Sequence, residues 1–205
     1  MKVKAVIWDM GGVLVRTEDY LPRTALARQF GLSCRELEDV VFENPSARLA
    51  TAGAIRSEEH WLNVASELHL EPERIGWFQS EFFAGDRLDE RCVSFIRGLR
   101  PRLKTGLLSN AFSDVRHVTD SLYHYLDAFD VAIFSAEVGL AKPDPRIYAL
   151  MLERLGVQAG EAVFIDDFIA NITGAQSVGL RTIHFHSADQ ALAELDSALL
   201  EDGRA

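Results

Sequence analysis

The chain has 205 residues, 48% of them hydrophobic and 25% charged, with a formal net charge of -10. That length buries a full core, so one domain, or one carrying a substantial insertion, is expected. The acidic balance argues against nucleic acid or an anionic membrane surface as the main partner, because both demand concentrated Lys and Arg, and an anionic substrate needs local positive charge.

Met1 to Met10 carries Lys2, Lys4 and a short apolar run that Asp9 interrupts before it reaches signal-peptide length. No segment approaches a membrane span, so a cytoplasmic protein is expected. Val3–Trp8 is β-rich and ends in Asp9-Met10-Gly11-Gly12, which reads as a buried strand running into a glycine turn. From about Arg16 to Leu88 there are helical patterns at Leu21–Phe30, Cys34–Glu43, Ser57–Leu68 and Pro72–Phe83, and no convincing strand. Ser57-Glu58-Glu59 offers one of these helices a cap and an acidic first turn. Trp61, Trp77, Phe78, Phe82 and Phe83 are expected to form a small core there, with one or two of them placed to line a cleft.

Beyond this interval, apolar runs at Thr105–Leu108, Val131–Phe134, Ala162–Ile165 and Thr182–Phe185 alternate with helical patterns at Glu90–Leu99, Asp114–Tyr125, Pro145–Leu155 and Asn171–Val178. Such alternation implies βαβ crossovers and an α/β fold, a parallel sheet covered on both faces. The helical interval is then a module inserted after the first strand. Cys34 and Cys92 have neither metal-site spacing nor disulfide density and read as free thiols. The six histidines read as surface or structural, and Glu201–Ala205 is expected to fray.

Ligands bind an open parallel sheet outside the carboxyl ends of its strands. The first strand ends in Asp9, the second in Ser109-Asn110 and the fourth in Asp166-Asp167, while Lys142 follows the third. Each alone has an ordinary reading. Asp9 suits a turn or helix cap, Ser109-Asn110 a turn, and Lys142 the surface. Together they bring three carboxylates to one edge, where a hard divalent cation would relieve their repulsion. Magnesium accepts such an oxygen set, and Lys142 and Ser109 would hold phosphate oxygens. A carboxylate in line with phosphorus can attack it to give an aspartyl phosphate.

In this order the residues resemble the four motifs of the haloacid dehalogenase superfamily: Ile7-Trp8-Asp9-Met10-Gly11-Gly12-Val13-Leu14, Leu107-Leu108-Ser109-Asn110, Lys142-Pro143, and Val163-Phe164-Ile165-Asp166-Asp167-Phe168-Ile169-Ala170-Asn171. The resemblance implies a Rossmann-like doubly wound parallel sheet with the first strand central, formed by residues 1–15 and 89–205, and a helical cap formed by residues 16–88. It implies Asp9 as nucleophile and metal ligand, Asp167 as metal ligand with Asp166 in support, and Asn171 as a second polar group near the metal. Ser109 and Asn110 match the phosphate-binding motif together with Gly11 and Gly12, Lys142 matches the neutralising cation, and Gly11 offers its backbone to the metal. The implied protein is a magnesium (Mg2+) phosphatase of a small phosphorylated metabolite, a sugar phosphate foremost, acting as monomer or homodimer.

One position departs from the pattern. Most phosphatases of this family carry a second Asp, serving as acid and base, two residues after the nucleophile, where this chain has Gly11 and so resembles bacterial sugar phosphatases with Asp-x-Gly in the first motif. A water, Glu18 or Asp19 could replace it, or the leaving group could be an acidic hydroxyl such as an anomeric one. The departure keeps two alternatives open, a 2-haloacid dehalogenase and a catalytically weak phosphate-ligand-binding protein. Arg16, Arg48 and Arg56 are the cap cations within reach of a substrate, and the sequence does not choose among them.

Overall fold

The computed structural model describes residues 2–201, so the expected fraying of the C-terminus lies, from residue 202 onward, outside them. In chain order the elements are β1 (Ala5–Trp8), β2 (Val15–Thr17), α1 (Leu21–Gln29), α2 (Cys34–Phe42), α3 (Pro45–Thr51), α4 (Ser57–Glu67), α5 (Ile75–Phe82), β3 (Asp86–Leu88), α6 (Glu90–Leu99), β4 (Lys104–Ser109) and α7 (Val115–Tyr123). There follow β5 (Val131–Phe134), α8 (Ser135–Val138), α9 (Pro145–Leu155), β6 (Ala162–Asp166), α10 (Ile169–Ser177), β7 (Arg181–His184) and α11 (Ala188–Glu201).

Five strands form a parallel sheet in the order β5-β4-β1-β6-β7, with β1 central. Alternation along β1 builds both faces. Val6 and Trp8 join one apolar cluster with Cys92, Val93 and Ile96 of α6 and Leu195 of α11, while Ala5 and Ile7 join another with Ile147 and Met151 of α9 and Ile172 of α10. Every residue of β1 is buried, as a strand covered on both faces requires. Burying Trp8, Ile7 and Phe164 completely contributes about 1.5–3 kcal/mol per side chain.

Helices α1 to α5 are inserted between β2 and β3 and hold a separate core of Leu26, Leu37, Val41, Trp61, Val64, Phe78 and Phe82. Of the aromatic residues expected there, Trp77 packs at the edge and Phe83 stays 38% exposed. Two expectations for this interval are corrected. β2 and β3 are strands, pairing antiparallel as Val15↔Leu88 to Thr17↔Asp86, at the two ends of the interval expected to hold no strand. Three-residue strands of mixed composition carry no alternation to read. Ser57 is not the cap of α4 either. Arg56 takes that place, and the Ser57 hydroxyl donates to Asp114 Oδ1 and lies 3.1 Å from Ser113 Oγ in the loop after β4. That loop also sends Phe112 into the inserted core, its ring centroid 4.4 Å from that of His60. Cys34 and Cys92 are free thiols.

Candidate active site

The sheet register brings the site together. Trp8 pairs with Ile165, and the Asp9 N–H donates to Ile165 O at 2.9 Å, so Asp9 and Asp166 emerge side by side one step beyond the last paired residues. Both follow Ile7 and Phe164 in strand parity and share the face covered by α9 and α10. Lys142 enters from the segment between α8 and α9, its ammonium 2.7 Å from Asp9 Oδ1 and 2.7 Å from Asp166 Oδ2. All three are buried.

A buried ion pair is favourable only when its remaining lone pairs are satisfied, and Asp166 meets that condition. Its Oδ1 accepts from the Phe168 N–H at 2.8 Å, and Asn171 Nδ2 lies 3.0 and 3.1 Å from its two oxygens. Asp166 is thereby fixed as the support of Lys142. Asp9 Oδ1 accepts from the Met10 N–H at 2.7 Å in addition to Lys142, and the two contacts orient the carboxylate.

Burial pushes the Asp9 carboxyl above its ordinary range, with Lys142 working against the shift and the charges of Asp166 and Asp167 adding to it. For Lys142 burial acts to release the proton, but the charges of Asp9 and Asp166 outweigh it and hold the ammonium above its usual value. Asp167 is also raised, by burial first and then by Asp166.

Asp9, Asp166 and Asp167 each present an oxygen within 4.8 Å of the others, the cluster of metal-ligating type found among the described residues. Asp167 is its exposed member and lies against Gly12, where an added Cβ would sit 2.1 Å from Asp167 Oδ2. Gly12 also has φ +78°, so glycine is required there twice over. Oxygen donors held close at the cost of raised carboxyl pKa values fit a hard divalent cation, magnesium included.

Ser109 ends β4 and is 1% exposed, and its hydroxyl reaches Asn110 O at only 3.5 Å, the outer limit of a hydrogen bond. So weak a bond leaves the hydroxyl ready for a ligand oxygen. The Asn110 side chain is engaged with the main chain of Lys142. Its Nδ2 donates to Lys142 O and its Oδ1 accepts from the Lys142 N–H, both at 2.8 Å, so the amide fixes the Lys142 peptide.

Neither side chain suggested as a substitute acid belongs to the carboxylate cluster. Asp19 Oδ1 accepts from the Leu21 N–H, and Glu18 lies 3.8 Å from Arg16. Arg16 is itself bound to Asp89 Oδ2 at 2.7 Å and to Val13 O, and Arg56 pairs with Glu58 at the surface.

Three supporting residues escape the sequence reading. Gly174 lets α10 approach the Lys142 segment, since a Cβ there would lie 2.7 Å from Pro143 O. Tyr148 donates to Asn171 O at 2.9 Å, and Ser135 Oγ bridges Ala111 N and O at 2.9 and 3.2 Å. A lone glycine in a helical pattern is a signal of close approach. The other two carry no sequence signal.

Residues 3–179 match the model of the haloacid dehalogenase-like hydrolases. Acyl-CoA dehydrogenase family member 10 of Mus musculus is 44% identical over 96% of the chain, which spans only 19% of that protein's length. The phosphorylated carbohydrates phosphatase of Thermotoga maritima is 27% identical, with 95% of this chain and 91% of that one covered. Among solved structures, a HAD family enzyme of Bacteroides thetaiotaomicron, in complex with magnesium and inorganic phosphate, superimposes with a TM-score of 0.73 at 21% identity, covering 91% of this chain and 96% of that one. The chain belongs to the haloacid dehalogenase-like hydrolases.

Proposed function

We propose that the chain is a magnesium-dependent phosphatase of a small phosphomonoester, with Asp9 as nucleophile. The observation that carries this reading is the Asp9 carboxylate itself, buried at a strand end, with Oδ1 pinned by Lys142 and the Met10 N–H and an oxygen within 4.8 Å of oxygens of Asp166 and Asp167. Beyond a share in holding a cation, a carboxylate oriented by two fixed donors is placed for attack on phosphorus, which a site that only binds phosphate does not need. The name of the Thermotoga relative supports a sugar phosphate as the substrate class.

In this reading Asp9 and Asp167, with the Gly11 carbonyl, would hold the magnesium ion, which would supply positive charge to neutralise the phosphoryl oxygens. Lys142 keeps its proton because two carboxylates flank it, so it stays a cation toward both Asp9 and the phosphate. The Ser109 hydroxyl and the Gly11-Gly12 turn hold the non-bridging oxygens, and Asn110 and Asn171 keep Lys142 and Asp166 in place. Residues 1–15 and 89–205 carry this chemistry, and residues 16–88 cover it as a cap that excludes water.

Gly11 selects the leaving group. Missing acid catalysis is worth about 10²- to 10⁴-fold, so hydroxyls that leave without a proton, such as an anomeric one, are favoured. The dehalogenase alternative draws on the same Gly11, but gives no role to Asp167, which stands in one carboxylate cluster with Asp9 and Asp166. Replacing Asp9 by Asn keeps the shape and removes the nucleophile, so phosphate release from an aryl phosphate in magnesium should fall at least about 10³-fold. Retention of the wild-type rate would refute Asp9 as nucleophile.

A further inference from the structure

Of the three carboxylates at the site, Asp167 has the least holding it. Asp9 is pinned by Lys142 and the Met10 N–H, and Asp166 by Lys142, Asn171 and the Phe168 N–H. Among the described residues no other side chain donates to the Asp167 carboxylate, so its place against Gly12 is set by the path of its main chain. Three hydrogen bonds direct that path. The Phe168 N–H turns back to Asp166 Oδ1 at 2.8 Å, the Phe185 N–H closes on Asp166 O at 2.9 Å, and His184 Nε2 meets Asp167 O at 2.9 Å. Only the third of these reaches Asp167 itself. A carbonyl oxygen can only accept, so Nε2 carries the proton and donates it.

We propose that His184 is a positioning residue for the metal, holding the Asp167 carbonyl so that the loop after β6 presents the Asp167 carboxylate to the cation shared with Asp9. The inference rests on the reading of Asp167 as a magnesium ligand given above. His184 is itself fixed. It stands opposite Asp166 in the parallel register of β6 and β7, and its carbonyl accepts from Gln190 Nε2 at 3.1 Å. The same Gln190 side chain accepts from the His186 N–H through Oε1 at 3.0 Å. The His186 ring packs on that of His184, with centroids 4.3 Å apart and planes at 62°. Gln190 lies in the first turn of α11, so a continuous path runs from that helix through Gln190 and His184 to the loop that carries Asp167.

The need for such a brace follows from the charges. Asp167 is the exposed member of a cluster whose oxygens lie within 4.8 Å of one another, and the buried Asp166 repels it. Before a cation arrives, an exposed carboxylate on an unbraced loop swings away from its neighbours. Magnesium demands near-ideal octahedral geometry, so it would then have to order the loop at the expense of its own affinity. A hydrogen bond to the main chain of the ligand residue removes that cost in advance. Its loss therefore weakens magnesium binding and leaves the chemistry at saturating magnesium much less affected.

The test compares wild type, His184→Phe, which keeps a ring against His186 but has no donor, and His184→Gln, whose amide restores a donor at the same reach. Magnesium chloride is titrated into each protein by calorimetry without substrate, and p-nitrophenyl phosphate turnover is followed against magnesium concentration. His184→Phe should bind magnesium about tenfold more weakly, with the half-saturating magnesium concentration raised to match and kcat at saturation reduced less than about threefold. His184→Gln should recover most of the affinity, and the thermal unfolding midpoints of all three in chelator should agree. Unchanged affinity in His184→Phe, or equal weakening in both variants, overturns the role of His184 and leaves the phosphatase reading standing. A fall in affinity matched by lost thermal stability in chelator assigns His184 to the fold and overturns the proposal as well. A wild-type protein that binds no magnesium overturns the reading on which the proposal rests.

Discussion

Gly12 shows how a single missing side chain sets the metal site. Its left-handed φ of +78°, and the 2.1 Å that would separate a Cβ there from Asp167 Oδ2, mean that alanine must displace the carboxylate. Gly12→Ala should cost about 1–2 kcal/mol of backbone strain and weaken magnesium binding by at least about tenfold in a calorimetric titration. Unchanged affinity would remove Asp167 from the ligand set. The raised carboxyls of Asp9 and Asp167 give magnesium binding a pH dependence. A folded-state pKa above the unfolded one means that the metal-free protein holds protons the unfolded chain has released. Its stability therefore falls as pH rises from the ordinary carboxylate range toward the raised values, and the cation must displace those protons. Magnesium affinity should rise from about pH 5 to about pH 8 with proton release on binding, and a flat profile would contradict the raised values. The positions of Asp9, Ser109, Lys142 and Asp166-Asp167 at one edge of the sheet were legible in the sequence because each ends a strand or lies in the segment that follows one. What the Asn110 amide binds was not legible, because a loop's path back onto Lys142 is a tertiary fact.

Elements were legible where composition and period agree. The five sheet strands are short apolar runs, whereas β2 (Val-Arg-Thr) and β3 (Asp-Arg-Leu) each bring one apolar residue, Val15 and Leu88, half-buried against the core and are otherwise held by pairing and by Asp89. Asp89 caps α6 through the Cys92 N–H at 2.9 Å and binds Arg16 of β2 at 2.7 Å. Burial would raise its carboxyl, but the Arg16 hydrogen bond and the Cys92 N–H outweigh this and hold it low. Its stabilisation is present at neutral pH and is lost as pH falls through that depressed value. Asp89→Ala should lower stability by about 1–3 kcal/mol in denaturant unfolding at neutral pH, with the difference shrinking in acid. Helix α11 lies beyond the helical patterns taken from the sequence, although Ala188, Ala191, Leu192 and Leu195, all packed on the sheet core, give it a readable period. Helix α8, at four residues, is too short to show a period.

At the scale of the whole molecule, the insertion meets the core on one side of the site. Ser57 bonds to the loop after β4, Phe112 of that loop enters the inserted core, and a Cβ at Gly53 would lie 2.3 Å from Ala136 O in α8. These contacts fall beside β4 and β5. The loops that follow β6 and β7 carry Asp167 and the exposed Phe168 and His186, and the exposed Ile169 opens α10 beside them. The insertion as a helical block was legible from its broken strand rhythm, but its seating was not, because it depends on a serine hydroxyl and a phenylalanine meeting the opposite part across a long stretch of chain. Among the described residues no helix is long and apolar enough to cross a membrane. The most direct test of the account is product release by the wild-type protein from a panel of sugar phosphates, an aryl phosphate and a 2-haloacid, each with magnesium and with chelator. Phosphate release that requires magnesium, with no halide released, is the predicted result. Halide release that survives the chelator would contradict it.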